Sequence, residues 1–208
     1  MTIKSEENHD DELNNQIEAL TISKITASII LYPKNSKSYR LQLGDHNGSG
    51  VFFNPNGDHT RFGLMDGTNG SLYIAETPRT SMKEVFQEIP AIEVTDLDKY
   101  HMATLITEKD LQIVDLSRLA PKIPAKTHDV TSSNYKITQT IAKKISPHAD
   151  GLRYISNVTL EPCFVLWNKD PLGKGVIRTK ELTPLSMFEY NGELAEDILV
   201  NDLDIPVM

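Results

Sequence analysis

The sequence is poor in cysteine, in long apolar runs and in grouped metal-ligating side chains, and each shortage removes a class of protein. Cys163 stands alone, which excludes an intrachain disulfide and fits a reducing cytoplasm. The longest apolar runs, such as Ile29-Ile30-Leu31, are far too short to span a bilayer. No basic-then-apolar targeting segment opens the chain, because residues 4–12 are polar and mostly acidic. The six histidines (His9, His46, His59, His101, His128 and His148) show no HExxH or other ligand spacing, so no metal is expected. No GxSxG elbow and no complete Walker sequence occurs, and Gly173-Lys174-Gly175 reads as a turn. Metal-hydrolase, NTPase and α/β-hydrolase readings therefore have no support. Asp45-His46-Asn47-Gly48-Ser49-Gly50 imitates half a calcium loop, but Asn56 stands where a bidentate glutamate is needed. Internal repeats and low-complexity tracts are absent.

What is present is an ordinary globular composition. With 208 residues, 39% hydrophobic and 24% charged, the chain is long enough for one domain with a real core. Its net charge of −8 is unevenly spread. Residues 1–12 carry −4 and residues 181–208 carry −7, which leaves residues 13–180 at +3. A mildly basic body between acidic ends suits an anionic small ligand, while the ends discourage duplex DNA and anionic membranes. The plain alternative is that acidic ends keep the chain soluble. The expected organisation is a disordered acidic segment 1–12, one domain over 13–180 and an acidic C-terminal segment 181–208.

Along the body, Leu13, Ile17, Leu20 and Ile25 predict a helix, though the β-branched run from Ile22 to Ile30 also suits a strand. Ser38 to Leu43 alternates as a strand. With Tyr39, Leu41 and Leu43 facing inward, Arg40 points the other way, to solvent or across a cleft. Strands are further predicted over Leu72–Ile74, Met102–Thr107, Leu111–Leu116, Leu152–Ser156, Phe164–Trp167 and Gly175–Leu182. Pro121 and Pro124 mark a loop, and Tyr135–Ile145 reads as a helix ended by Pro147. Strands outnumber helices in mixed order, which predicts an α+β protein with a mixed β-sheet core and flanking helices. Cys163 reads as a small core residue.

Arg61 to Gln87 organises the rest. It reads as a loop, a short buried strand and the opening of a helix. Thr77 suits an N-cap and Pro78 the first helical position. Met82, Val85, Phe86 and Ile89 then form a buried stripe, with Glu84 off it near the helix start, where a carboxylate is favoured. On pattern alone Glu84 is a surface residue of an amphipathic helix.

Tyr39-Arg40, Arg61-Phe62, Leu72-Tyr73-Ile74-Ala75-Glu76-Thr77, Met82-Lys83-Glu84-Val85, Leu111–Leu116 and Asp150-Gly151-Leu152-Arg153-Tyr154-Ile155-Ser156, in that order, resemble the RES domain. The resemblance covers about residues 37–170. It implies a fold related to the ADP-ribosyltransferase toxins, NAD as substrate, and a toxin paired with an Xre-type antitoxin or immunity protein that blocks the site. It makes Arg61 the family arginine, Glu84 the glutamate and Ser156 the serine, with Tyr73 on the central strand and Arg40 as a second arginine. The family often has Gly-Gly before its arginine and Trp-Asn after; here His59-Thr60 and Phe62-Gly63 take those places, and Ile155 replaces the usual proline before the serine.

Those residue types suit the chemistry. Guanidinium groups of Arg40 and Arg61 match a pyrophosphate, and Tyr73 can stack on the cationic nicotinamide. Cleaving the nicotinamide–ribose bond builds positive charge on the ribose. Glu84 would stabilise that charge more than the ground state, and Ser156 would orient the ribose or the amide. Arg153 reads as structural. The expected activity is NAD hydrolysis or phosphorolysis. ADP-ribosylation of a protein target and a catalytically inactive NAD-binding module are the alternatives.

Overall fold

A computed structural model describes residues 3–57, 59–123, 129 and 135–208, and at its centre lies one mixed sheet. The chain opens with helices α1 (Ile3–Glu18) and α2 (Ile22–Thr26), then strand β1 (Ile29–Tyr32), which Pro33 closes. The β-branched run thus divides between a helical turn and a strand. Helix α1 takes in most of the acidic segment read above as disordered. Next come β2 (Lys37–Leu43), β3 (Gly70–Ala75) and α3 (Pro78–Phe86). They are followed by β4 (Tyr100–Thr107), β5 (Leu111–Asp115), α4 (Leu116–Leu119) and α5 (Lys136–Ile145). The last three sheet strands are β6 (Gly151–Ile155), β7 (Pro162–Asn168) and β8 (Ile177–Pro184). Pro121 lies in a 3-10 turn, and Pro124, expected in the same loop, and His128 are outside the described residues.

The sheet order is β1-β5-β6-β7-β3-β2-β4-β8. Only the β5–β6 pair is parallel. The result is the α+β architecture that the mixed element order predicts. One junction is weak. Strands β3 and β7 pair along all of Gly70–Ala75, whereas β2 and β3 share the single pair Tyr39↔Ala75. Beyond it the Leu41 N–H donates to Ser81 Oγ on α3 at 2.6 Å instead of to β3, so the sheet divides there.

Residues of opposite parity face opposite layers. One face carries Leu72, Ile74, Ala103, Leu105, Phe164 and Leu166 into a core closed by Val51 and Phe53. The other face is covered in two blocks. Helices α1, α2 and α5 lay Leu13, Ile17, Ile25, Ile137 and Ile141 over Val114, Leu152 and Val165. Helix α3 packs Met82 and Phe86 over Leu41 and Met102. Each such side chain, fully buried, contributes about 1.5–3 kcal/mol. Between the two blocks the sheet is open, above the divided β2–β3 junction.

The second block is completed by residues 185–208. Leu185, Phe188, Ala195, Ile198, Leu199, Leu203 and Ile205 are buried in it. Expected as a separate acidic segment, this stretch is part of the domain, because its acids (Glu189, Glu193, Glu196, Asp197, Asp202 and Asp204) all point outward between buried apolar residues. Lys83 Nζ donates to Leu203 O at 2.6 Å and Arg79 pairs with Asp202 at 3.2 Å, fastening the segment to α3. Leu43, expected inward, is 61% exposed at the strand end, and the preceding Gln42 is buried there instead, donating to Gly44 O and Ser49 O. Arg153 is structural as read, pairing with Asp115 at 3.0 Å. Among the described residues no helix is long and apolar enough to cross a membrane.

Candidate active site

The loop between Gly57 and Gly63 presents Arg61 to the opening. Its ends lie so close that a Cβ on Gly63 would sit 2.2 Å from Gly57 O, a spacing only glycine permits. Phe62 is fully buried and anchors the loop. Its N–H donates to Tyr73 Oη at 2.8 Å and its carbonyl accepts from Trp167 Nε1 at 3.1 Å. Gln139 of α5 donates to Gly57 O and Thr60 O at 3.3 and 3.0 Å. With Phe62 driven inward, Arg61 is left over the Tyr135 ring, 5.9 Å from its centroid, a cation–π distance.

Glu84 enters from the other side on α3. Thr77 caps that helix by accepting from Thr80 N at 3.2 Å, with Pro78 at the first helical position, as the sequence predicts. Met82 and Phe86 face the core; Val85, expected with them, is 40% exposed. That turns Glu84 toward the open part of the sheet, half-buried.

Two cavities meet at this carboxylate. The larger, about 430 Å³, is polar and is bordered by Arg61, Tyr73, Glu84, Tyr135, Tyr154 and Asn157. The smaller, about 230 Å³, lies in the divided sheet junction between Tyr39, Arg40, Leu41, Ala75, Val85 and Cys163. Tyr73, Glu84 and Tyr154 border both. A groove of about 700 Å³ on the outer side of the arginine loop, against Lys136 and Lys143, holds none of the expected site residues.

The groups around Glu84 are held neutral. Burial raises Tyr73, against the lowering effect of hydrogen bonds to Thr60 and Phe62. Tyr154 lies well above the usual phenol range, chiefly by burial, with Cys163, Glu84 and Tyr73 adding and Arg61 opposing. Burial and then the Glu84 charge push the Cys163 thiol up to about 12, so this cysteine is no thiolate nucleophile at neutral pH. Arg61 is the cation that both Tyr154 and Cys163 sense, as they sense Glu84.

Arg61, Tyr73 and Glu84 are thus brought together at the larger cavity; Arg40 borders the smaller one, and Ser156 borders neither. Strand alternation puts the Arg40 side chain on the face opposite Tyr39 and Leu41, where Nη1 donates to Gly50 O at 3.0 Å and burial lowers its pKa. Ser156 is fully buried, and its hydroxyl accepts from Val158 N and Thr159 N at 3.1 and 3.2 Å. It builds the turn that carries Asn157 to the cavity. Sequence reading missed Tyr135, Tyr154, Gln87 and Asn157. Two had a signal: Gln87 follows Glu84 by three residues on one helix face, and Tyr154 shares strand parity with Leu152. Among the described residues no three His, Cys, Asp or Glu side chains group as metal ligands.

The RES domain family matches residues 39–187. The chain belongs to the RES domain family. A solved structure of similar fold is the M. tuberculosis MbcT–MbcA toxin–antitoxin complex. One of its chains aligns over 82% of this chain and 90% of its own length, with a TM-score of 0.60 and 15% identity. No curated protein gives a match. In this RES chain the arginine and the glutamate face one cavity, and the serine stands behind it.

Proposed function

We propose that this RES protein is a toxin that consumes NAD by cleaving its nicotinamide–ribose bond, and that a partner antitoxin of Xre type restrains it. The observation that carries the reading is the placement of Glu84 at the meeting point of a polar, arginine-bordered cavity and a smaller, largely apolar one. The flat nicotinamide suits the smaller cavity and the anionic ADP-ribose part suits the larger, so the bond to be broken lies beside the carboxylate. The larger volume falls in the ordinary range of ligand pockets. The family match and the toxin–antitoxin origin of the similar structure support the toxin and partner parts of this reading.

The chemistry follows from charge. As the C–N bond lengthens, its electron pair goes to the nicotinamide ring, which becomes neutral, and the ribose becomes cationic. No proton donor is needed for departure. Glu84 stabilises the cation in surroundings where neutral tyrosines and a half-buried wall keep the effective dielectric low. Tyr73 and Tyr154 flank both fragments, and Arg61, steadied over Tyr135, takes the diphosphate charge. Water or phosphate then adds to the ribose face that nicotinamide leaves open.

Nicotinamide release from NAD by the purified protein, with and without phosphate, tests this directly. Release that requires phosphate marks phosphorolysis, and release without it marks hydrolysis. Glu84→Ala is expected to fold and to lose most of the activity. Unchanged release by that variant rejects the assignment.

A further inference from the structure

The turn Ser156–Glu161, which joins the paired ends of β6 and β7, does more than carry Asn157. It links β6 and β7, which lie under the first helical block, yet its side chains grip α3, which belongs to the second. Glu161 Oε2 accepts from Thr77 Oγ1 and Thr80 Oγ1, each at 2.5 Å. Thr80 Oγ1 also meets Thr159 Oγ1 at 2.9 Å. A hydroxyl has one proton. With the Thr77 and Thr80 protons both directed to Glu161, Thr159 is the donor to Thr80. Thr77 Oγ1 also lies 3.1 Å from Thr80 Oγ1, so the three threonine hydroxyls and the carboxylate form one connected cluster.

The grip falls on the face that matters. Thr80 and Glu84 are four residues apart on α3 and lie one above the other, so fixing the first fixes the azimuth of the second. Thr80 is fully buried. The turn is equally constrained: Ser156 N donates to Glu161 O at 2.9 Å, Leu160 N to Ser156 O at 3.1 Å, and Leu160 holds φ +60, a costly conformation for leucine. The junction beneath is the one where the sheet itself offers only Tyr39↔Ala75.

We propose that Glu161, acting through Thr80 and Thr159, is a positioning residue that sets Glu84 against the Asn157 turn across the divided sheet, and that Ser156 serves the reaction as the spine of that turn. The role in catalysis rests on the NAD-cleaving reading above, and the coupling of turn to helix does not.

Two measurements on the full chain test it. In steady-state NAD cleavage, Glu161→Ala and Thr80→Val are each expected to lower kcat about tenfold to a hundredfold, with KM changed by less than about threefold, the scale of a misplaced catalytic group. Thr80→Ser, which keeps the hydroxyl, is expected to restore most of what Thr80→Val loses. Added to Glu84→Gln, Glu161→Ala is expected to cost little more, since both act through one carboxylate. Amide hydrogen exchange, read without substrate, is expected to rise in Glu161→Ala at Thr80–Met82 and at Val158–Leu160 together, while α5 stays protected. Full kcat in Glu161→Ala alongside a dead Glu84→Gln overturns the positioning role and leaves the NAD reading standing. Full activity in Glu84→Gln overturns the NAD reading, and the exchange pattern then decides the latch alone. Faster exchange confined to the turn overturns the latch.

Discussion

The arginine loop between Gly57 and Gly63 and the serine turn Ser156–Glu161 border the same cavity, yet one is held by aromatic and amide side chains and the other by hydroxyls around a carboxylate. Tyr73, Trp167 and Gln139 clamp the loop's backbone, and all three belong to the α5 side of the molecule. Thr77, Thr80 and Thr159 clamp the turn through Glu161, which ties it to α3. The first arrangement fixes a cation within one block. The second spans two blocks and fixes an anion. Rigidity in the loop comes from packing, while rigidity in the turn depends on a charge.

Gly63→Ala strikes hardest at this contrast. Its Cβ would sit 2.2 Å from Gly57 O and 2.3 Å from Thr60 Oγ1, so overpacking is expected to cost about 1–3 kcal/mol or more and to displace Arg61. A lower Tm with lost NAD cleavage checks it, whereas near-normal values would show a looser loop. Ser156→Ala comes next. It leaves the Val158 and Thr159 N–H groups without their side-chain acceptor, and about 0.5–2 kcal/mol is expected, as for a lost cap. Denaturant titration measures this. The fall in activity is expected in kcat rather than KM, because no substrate contact is removed; a KM effect alone would return the serine to the substrate.

Acid gives the smallest effect and the most selective. Burial alone would raise Glu161, but hydrogen bonds from Thr77 and Thr80 and the nearby Arg79 charge hold it below the usual carboxylate value. A depressed folded-state pKa contributes stability that is complete above the ordinary value of 4.5 and fades as pH falls through the folded value. NMR shifts of the Thr80 and Thr159 amides are therefore expected to move below pH 4.5, before the Trp167 indole signal changes. Simultaneous movement would mean that loop and turn share one support.

Much of the fold was legible because it is written locally. Alternation marks β2, short apolar runs mark β4, β5 and β7, and Thr77-Pro78 marks the start of α3. Sheet order was not, since pairing β1 with β5 and β3 with β7 depends on contacts distant in sequence. The C-terminal segment misled because its acids dominate the composition, while the spacing of Leu199, Leu203 and Ile205 carries its packing. In the site, Glu84 and Arg61 could be read from the family pattern. Arg40 could be placed only as facing away from Tyr39, and its Gly50 partner lies on a loop with no periodic signal. The backbone bonds of Ser156 were not legible, because a hydroxyl that accepts two backbone N–H groups looks, in sequence, like one that meets a substrate.

The most direct measurement is NAD binding and nicotinamide release on the same preparations of wild type and Glu84→Gln. The expected result is similar affinity with release slowed about a hundredfold to a thousandfold, the scale of removing one electrostatic stabiliser. Equal release rates from the two proteins would contradict the placement of the reaction at Glu84.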